Sequence, residues 1–303
     1  MKKVMLIGDR KKERINTVVN ELRDWFSKQD VEIVGIDLTN RFDLSKVKCD
    51  RIIVLGGDGS ILSTARRLKN NRIPVVGVNL GKFGFLAEYS IAELKESFRG
   101  VISKKQLVSS LMMLNCEIER GNKKNGPFVA LNDIVITRGS ISRMVYFRLF
   151  IDGKEITVFG ADGVIASTPI GSTAYALSAG GPLIAPEMQA LIITPICAHT
   201  LSMRPLVLPS DSVIELELAD ASGQEIILTV DGQVSMYLRQ SDRVILKKSN
   251  ATFRLVRLGK RSFYETLREK LHWGGQPHSQ RYGLSTCPTG QPVRREPTTY
   301  KDR

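Results

Sequence analysis

Soft metal ligands are scarce in this chain, and those present are scattered. Four cysteines and three histidines occur in 303 residues. Cys49, Cys116, Cys197 and Cys287 stand far apart without a C-x-x-C pair. That spacing suggests neither a zinc site nor a disulfide framework, and it fits a reducing cytoplasm. His199, His272 and His278 supply no compact His-rich metal site. No apolar run approaches the ~20 residues of a membrane span. The start, MKKVMLIGDRKK, is basic, but its apolar stretch is too short for a secretory signal. Lys and Arg outnumber Asp and Glu by 44 to 31, a net charge of +13. These basic residues form no long run interleaved with aromatics, which argues against a dedicated nucleic-acid binder; polyanionic small substrates such as nucleotides suit the same charge. Two phosphate fingerprints are missing as well. GDGSIL matches G-x-G-x-x-G only in its first two glycines, with Leu62 at the third place. GVNLGKF is one residue short of a Walker A loop and carries Phe83 where Ser or Thr belongs. The expectation is a soluble, cytoplasmic protein with no membrane or nucleic-acid partner.

What is present is ordinary globular material, 42% hydrophobic and 25% charged, long enough for about two domains. VMLIG (4–8), VEIVGI (31–36), RIIVL (51–55) and PVVGVN (74–79) read as short buried strands. Ile15, Val18, Val19, Leu22, Trp25 and Phe26 recur at helical spacing, and ILSTARRLKN (61–70) reads as a second helix. Strands alternating with helices predict a Rossmann-like parallel sheet over residues 1–104, with ligands beyond the carboxyl ends of its strands. From about 105 to 249 the texture becomes β-rich, predicting an all-β domain. FYETLREKLHW (263–273) reads as a helix near the end, and residues of about 250–273 are expected to complete the first domain. The Pro-, Gly- and Ser-rich stretch 274–303 reads as a disordered tail.

GGDGS (56–60) stands where a strand should end. Asp152-Gly153 serves as its control, because that pair lies between two strand-like runs and reads as a two-residue hairpin. Asp58-Gly59 instead follows a strand and precedes a helix. Glycines there let a ligand approach the backbone, and the amides of Gly56, Gly57, Gly59 and Ser60 are candidates for a phosphate loop. A carboxylate would repel phosphate, so Asp58 needs a different role. Taking a proton from a hydroxyl, or organising a metal ion beside the phosphates, would each justify it. GADGVIASTPIGSTAYALSAGGPLIAP (160–186) is dense in small and hydroxyl residues. It reads as a close-fitting ligand surface, with Tyr175 offering a flat face to a base, against a bland alternative of a turn and a helix cap. In LND (131–133), two polar residues interrupt an apolar run, as a bulge or as a site. In VDGQ (230–233), Asp231-Gly232 reads as a turn and Gln233 as a modest site candidate.

Taken together, GGDGS, NLGKFGFLAE (79–88), LND, the 161–186 segment, HTLSMRPLV (199–207) and VDGQ follow the order found in NAD kinases. The resemblance spans roughly residues 1–272 and is to the bacterial type. It implies phosphorylation of the adenosine-ribose 2′-hydroxyl of NAD to give NADP, with ATP or polyphosphate as donor and a divalent cation, magnesium, as cofactor. It also implies an α/β N-terminal domain, a β-sandwich-like C-terminal domain whose last segment returns to the first, and a homodimer or homotetramer. By position, Asp58 is implied as general base and Gly59 as a substrate contact. Asn132 and Asp133 are implied to hydrogen-bond NAD, Arg143 to reach the dinucleotide of a neighbouring subunit, and Asp162 to serve the nicotinamide side. Thr173, Ala174, Tyr175, Ala176, Leu177 and Ser178 match the loop around the adenosine half, and Gln233 a late substrate contact. Asp133 is shorter than the Glu of many relatives. Ile170 and Ala161 replace hydroxyl residues, which implies a lost hydroxyl contact near the base. Two rival readings stay open: a related kinase with a lipid or sugar-phosphate acceptor, and a non-catalytic NAD sensor.

Overall fold

The structure, a computed structural model, describes residues 1–81, 84–103, 107–139, 144–200, 202–220 and 225–273. Arg143 and the expected tail at 274–303 lie outside the described residues. The first elements alternate: β1 (Lys2–Gly8), α1 (Ile15–Ser27), β2 (Val31–Asp37), β3 (Arg51–Leu55), α2 (Asp58–Leu68), β4 (Val75–Val78) and α3 (Ile91–Ile102). The four strands pair in parallel in the order β2-β1-β3-β4. The near-continuous apolar runs in β1, β3 and β4 follow from burial on both faces, while β2 at the sheet's edge is mostly half-buried. Val4, Leu6, Ile53 and Leu55 pack with α1 and α3, while Met5, Ile7, Ile52 and Val54 pack with α2. α2 begins at Asp58, three residues before the periodicity suggests, so Asp58 and Gly59 occupy its first turn rather than a free loop.

The β-rich part follows as β5 (Val108–Arg120), β6 (Lys123–Ala130), β7 (Asp133–Arg138), β8 (Val145–Ile151), β9 (Lys154–Ala161) and β10 (Gly163–Ser167). A 3-10 turn at Ile170–Thr173 leads into a single helical turn, α4 (Tyr175–Ser178). Then come β11 (Ala190–Ile196), β12 (Leu206–Pro209), β13 (Ile214–Asp220), β14 (Ile226–Val230), β15 (Val234–Leu238) and β16 (Arg243–Val256). Six strands form a separate all-antiparallel sheet in the order β12-β11-β10-β7-β14-β15. The others extend the first sheet, because β16 pairs with β4 through Leu255 and Val75 and also with β5 and β13. The core between the sheets is filled by residues such as Ile134, Ile136, Phe147, Phe159, Leu216 and Leu246. Asp152-Gly153 is the expected hairpin between β8 and β9, with φ of +51° and +75°.

Residues 1–260 form one compact unit, and the chain from Arg261 forms a second. The described part of the second unit is α5 (Phe263–Leu271), started by a reciprocal Ser262–Glu265 capping box. Among the described residues, Cys49, Cys116 and Cys197 are free thiols, and no helix is long and apolar enough to cross a membrane.

Candidate active site

α2 starts one residue beyond the β3–Gly56–Gly57 junction, which projects Asp58 past the carboxyl edge of the parallel sheet. Its carboxylate accepts three backbone N–H groups of the segment after β4. Phe85 N donates to Oδ2 at 2.8 Å, and Leu86 N and Ala87 N donate to Oδ1 at 3.1 and 3.0 Å. An ionised carboxylate offers roughly four lone-pair directions, so Oδ2, with one amide, retains the freer acceptor site. A Cβ on Gly84 would overlap this carboxylate, so only glycine lets the segment close over Asp58.

Gly59 presents its carbonyl to Gln233, whose Nε2 donates at 2.8 Å. The Oε1 of Gln233 accepts from Arg66 Nη2, and Arg66 Nη1 reaches Asp231 Oδ2 at 2.7 Å. The side chain of Asp231 is fully shielded from solvent, and Oδ1 takes the amides of Asn132 at 2.8 Å and Asp133 at 3.3 Å. Leu131 N donates to Oδ2 at 3.3 Å. One hydrogen-bonded chain therefore joins GGDGS, VDGQ and LND, with partners up to 174 residues apart in sequence. Asp231-Gly232 is a turn between β14 and β15, as its residues suggest, and it is also the clamp that shapes 131–133. Arg66 and this role of Asp231 were beyond sequence reasoning, since an arginine within ARRL carries no local mark of its partner 165 residues away.

Asp133 opens β7 and points to the outer face of the six-stranded sheet, the face that carries α4. Ile134 and Ile136 face the core between the sheets, and the alternate residue Val135 packs beneath Ala176 of α4. Asp133 is 4% exposed, with Ser167 as its cross-strand partner. Among the described residues its carboxyl has no hydrogen-bond partner, and the buried Ser167 Oγ has none either. Burial first, and then the charge of Asp231, push the Asp133 carboxyl up to about 7.

The 168–178 segment is built against this point. Thr168 Oγ1 donates to Leu131 O at 2.6 Å, and Thr168 N donates to Asn132 O at 2.9 Å. A Cβ on Gly171 would collide with the Asn132 carbonyl. Ser172 Oγ accepts from Ile184 N at 3.0 Å and ties the loop's two ends together. Thr173 Oγ1 turns back to Ile170 O at 3.0 Å. Tyr175 is 46% exposed, Ser178 is exposed, Ala174 and Leu177 are half-buried, and Ala176 is buried. Ile170 and Ala161, the two positions without the relatives' hydroxyl, are both buried. Ile170 is 4% exposed in the core with Ile61, Leu62 and Leu131, and Ala161 is buried between the sheets. Each is part of a hydrophobic cluster.

Asp162 stands apart. It lies at the other end of β10, where its Oδ1 is 3.1 Å from Arg138 Nε. Because Gly163 pairs with Thr137 and Ser167 with Asp133, Asp162 is displaced along the sheet from Asp133 by about 16 Å, at ~3.3 Å per residue. On the other side of Asp58 a chamber of about 380 Å³ opens, bounded by Gly57, Gly59, Ser60, Lys12, Asp9 and Gln233. Gly56 lies beneath it, covered by the Ser60 side chain and by Lys12 Nζ. Among the described residues, no three His, Cys, Asp or Glu side chains cluster to hold a metal ion.

Comparison with known proteins fits this geometry. A family model for the ATP-NAD kinase N-terminal domain matches residues 8–106, and one for the ATP-NAD kinase C-terminal domain matches residues 131–258. The chain is 38% identical to an NAD kinase of Acidobacterium capsulatum over 284 residues, covering 90% of this chain and 99% of that protein. It is 38% identical to an NAD kinase of Heliobacterium modesticaldum over 280 residues, covering 89% and 98%. The yeast NADH kinase solved with NADH superimposes with a TM-score of 0.82 at 26% identity, covering 91% of this chain and 88% of that one. An NAD kinase from Archaeoglobus fulgidus solved with ATP gives 0.70 at 25% identity, covering 85% and 94%.

Proposed function

The chain belongs to the NAD kinase family, and from that premise we propose that it transfers the γ-phosphate of ATP to the 2′-hydroxyl of the adenosine ribose of NAD, giving NADP. The observation that carries the residue assignments is the single network from Gly59 through Gln233, Arg66 and Asp231 to Asn132 and Asp133. It holds a glycine-rich donor side and a polar acceptor side in fixed relation across Asp58.

The reaction is an in-line displacement. The ribose 2′-oxygen attacks the γ-phosphorus, the bond to the β,γ-bridging oxygen breaks, and ADP leaves. Asp58 Oδ2 takes the hydroxyl proton, a contribution typically worth ~10²–10⁴-fold. Asn132 and the ionised form of Asp133 hold the ribose hydroxyls, and the exposed ring of Tyr175 faces the adenine. Amides of Gly57 and Gly59 bind the transferring phosphoryl group, where positioning and charge stabilisation carry most of the rate; the amides of Gly56 and Ser60, expected from the sequence to share this role, are instead held by Val78 O at 2.8 Å and Gly57 O at 3.0 Å. Magnesium commonly binds through one or two carboxylates plus substrate phosphates. Asp9 fits that pattern as a ligand at the phosphate chamber, and the ion would neutralise charge on the phosphates. Asp162 serves the nicotinamide side, and its displacement along the sheet from Asp133 is compatible with the far half of an extended dinucleotide; Arg143 reaches the dinucleotide of a neighbouring copy in the homodimer or homotetramer.

The experiment is direct: purified protein, ATP, magnesium and NAD, with NADP read by an NADP-specific dehydrogenase. Sustained NADP formation is expected. NAD binding without NADP formation would favour a sensor, and absence of NAD binding would favour another acceptor.

A further inference from the structure

A cavity of about 420 Å³ lies at the amino edge of the parallel sheet, where β3 and β4 begin, opposite the edge that carries Asp58. Cys49, Asp50 and Arg51 bound it at the start of β3, Arg72 and Pro74 just before β4, and Arg254 from β16. Arg51 and Leu55 are the two ends of β3, so about 13 Å of strand, at ~3.3 Å per residue, separates the cavity from the glycine turn. Leu255 pairs with Val75 at the start of β4, which brings the neighbouring Arg254 to the same edge.

Three arginines thus share one cavity without carboxylates to match them. Among the described residues, none of Arg51, Arg72 and Arg254 is in an ion pair. Arg51 is only 3% exposed. Its Nε donates to Val101 O at 2.8 Å and its Nη1 to Asp50 O at 2.7 Å, while Nη2 has no hydrogen-bond partner among the described residues. Arg254 Nη1 donates to Arg72 O at 3.2 Å, which fixes it at the cavity wall. The Asp50 carboxylate is turned to β1, where Oδ2 accepts from Lys3 N at 2.8 Å and Oδ1 is 3.7 Å from Lys2 Nζ. Burial, and then the Asp50 charge, push the Cys49 thiol up to about 11, so it adds no negative charge. A guanidinium stays protonated even when buried, and a buried charge without a counterion is costly. The arginines also repel one another. An anion in the cavity removes both penalties.

We propose that this cavity binds a small phosphorylated metabolite through its phosphoryl dianion. Guanidinium forks match phosphate oxygens in geometry as well as charge. Three arginines against the one carboxylate of Asp50 leave two positive charges, the complement of a phosphoryl dianion. The volume is within the usual ~300–1,000 Å³ of small-molecule sites and leaves room for the organic part of the ligand. Such a ligand does not compete for the Asp58 site, because it sits at the opposite end of β3. Its binding requires no phosphotransfer at that other edge.

Arg72→Ala and Arg254→Ala each remove a cation without opening a core, since Arg72 is exposed and Arg254 half-buried. Arg51 is left in place because it ties β3 to Val101 O. Calorimetric titration of the unaltered protein with inorganic pyrophosphate should show binding that weakens about tenfold or more in each variant, the loss of a charge-assisted contact. The same binding should persist in Lys12→Met, which removes the cation of the phosphate chamber. Succinate, whose charge is split between two separate carboxylates, should bind more weakly than pyrophosphate. Binding lost in Lys12→Met and intact in both arginine variants would place the anion at the catalytic edge alone and overturn the inference. Absence of any binding would overturn it as well, and succinate binding as tightly as pyrophosphate would overturn the phosphoryl assignment.

Discussion

Replacing Asp133 with Asn makes a prediction about both stability and substrate binding. The carboxyl is 4% exposed, and burial together with the Asp231 charge raises it from the ordinary 3.8 to about 7. Between those values the folded chain keeps a proton that the unfolded chain has released. Stability therefore falls as pH rises through this window; the penalty is absent below 3.8 and complete above about 7. At ~1.4 kcal/mol per pH unit, the full penalty is on the order of 4 kcal/mol, and about 3 kcal/mol of it accrues between pH 5 and pH 8. The amide of Asn is nearly isosteric and does not ionise, so Asp133→Asn should lack this decline and be the more stable protein at pH 8. Denaturant unfolding of both proteins at pH 5 and pH 8 measures the difference of differences, which cancels the other titrating groups. In parallel, kcat/KM for NAD in the unaltered protein should rise with pH through about 7, because the ionised carboxyl accepts from ribose hydroxyls. The variant should lose that rise. Equal pH dependence of stability in the two proteins would refute the buried, charge-repelled description of Asp133.

Other substitutions probe the same construction. Gly84→Ala places a methyl on the Asp58 carboxylate; a stability loss of about 1–3 kcal/mol and loss of most NADP formation are expected, read by thermal melting and the coupled assay. Arg66→Met leaves Asp231 buried without its cation, which should destabilise by about 3–5 kcal/mol; a loss of stability below about 1 kcal/mol would argue against the clamp. Tyr175→Ala should raise KM for NAD without a stability change, because its ring is 46% exposed.

How much is legible in the residues depends on the range of the interaction. Strand β3 and its junction with α2 are readable from RIIVL followed by glycines, and the Asp152-Gly153 hairpin from its flanking strands. Periodicity places the start of α2 three residues late because Gly57, Asp58 and Gly59 resemble turn chemistry, although an acidic first turn also suits a helix. The helix at 91–102 is unassigned in the sequence reading, although Leu94, Phe98 and Val101 recur at helical spacing and Ser90 and Glu93 form a capping box. LND is ambiguous between bulge and site because its geometry is imposed by Asp231, about one hundred residues later. That Ile170 joins the core with Ile61, Leu62 and Leu131 depends on residues from distant segments, so the run of small and hydroxyl residues around it does not announce its burial. The order of motifs marks the family, but the cavity beside α2 joins residues from four separated segments, and no local pattern announces it.

The assignment of Asp58 as the proton acceptor is tested most directly by Asp58→Asn under single-turnover conditions with saturating NAD and ATP. The asparagine Oδ1 can still accept the loop amides of Leu86 and Ala87, and the loss is confined to the Phe85 amide bond, so folding and binding of both nucleotides should survive. The rate of NADP formation should fall by about 10²–10⁴-fold. A folded variant that binds both substrates and turns over at a near-normal rate would contradict the account.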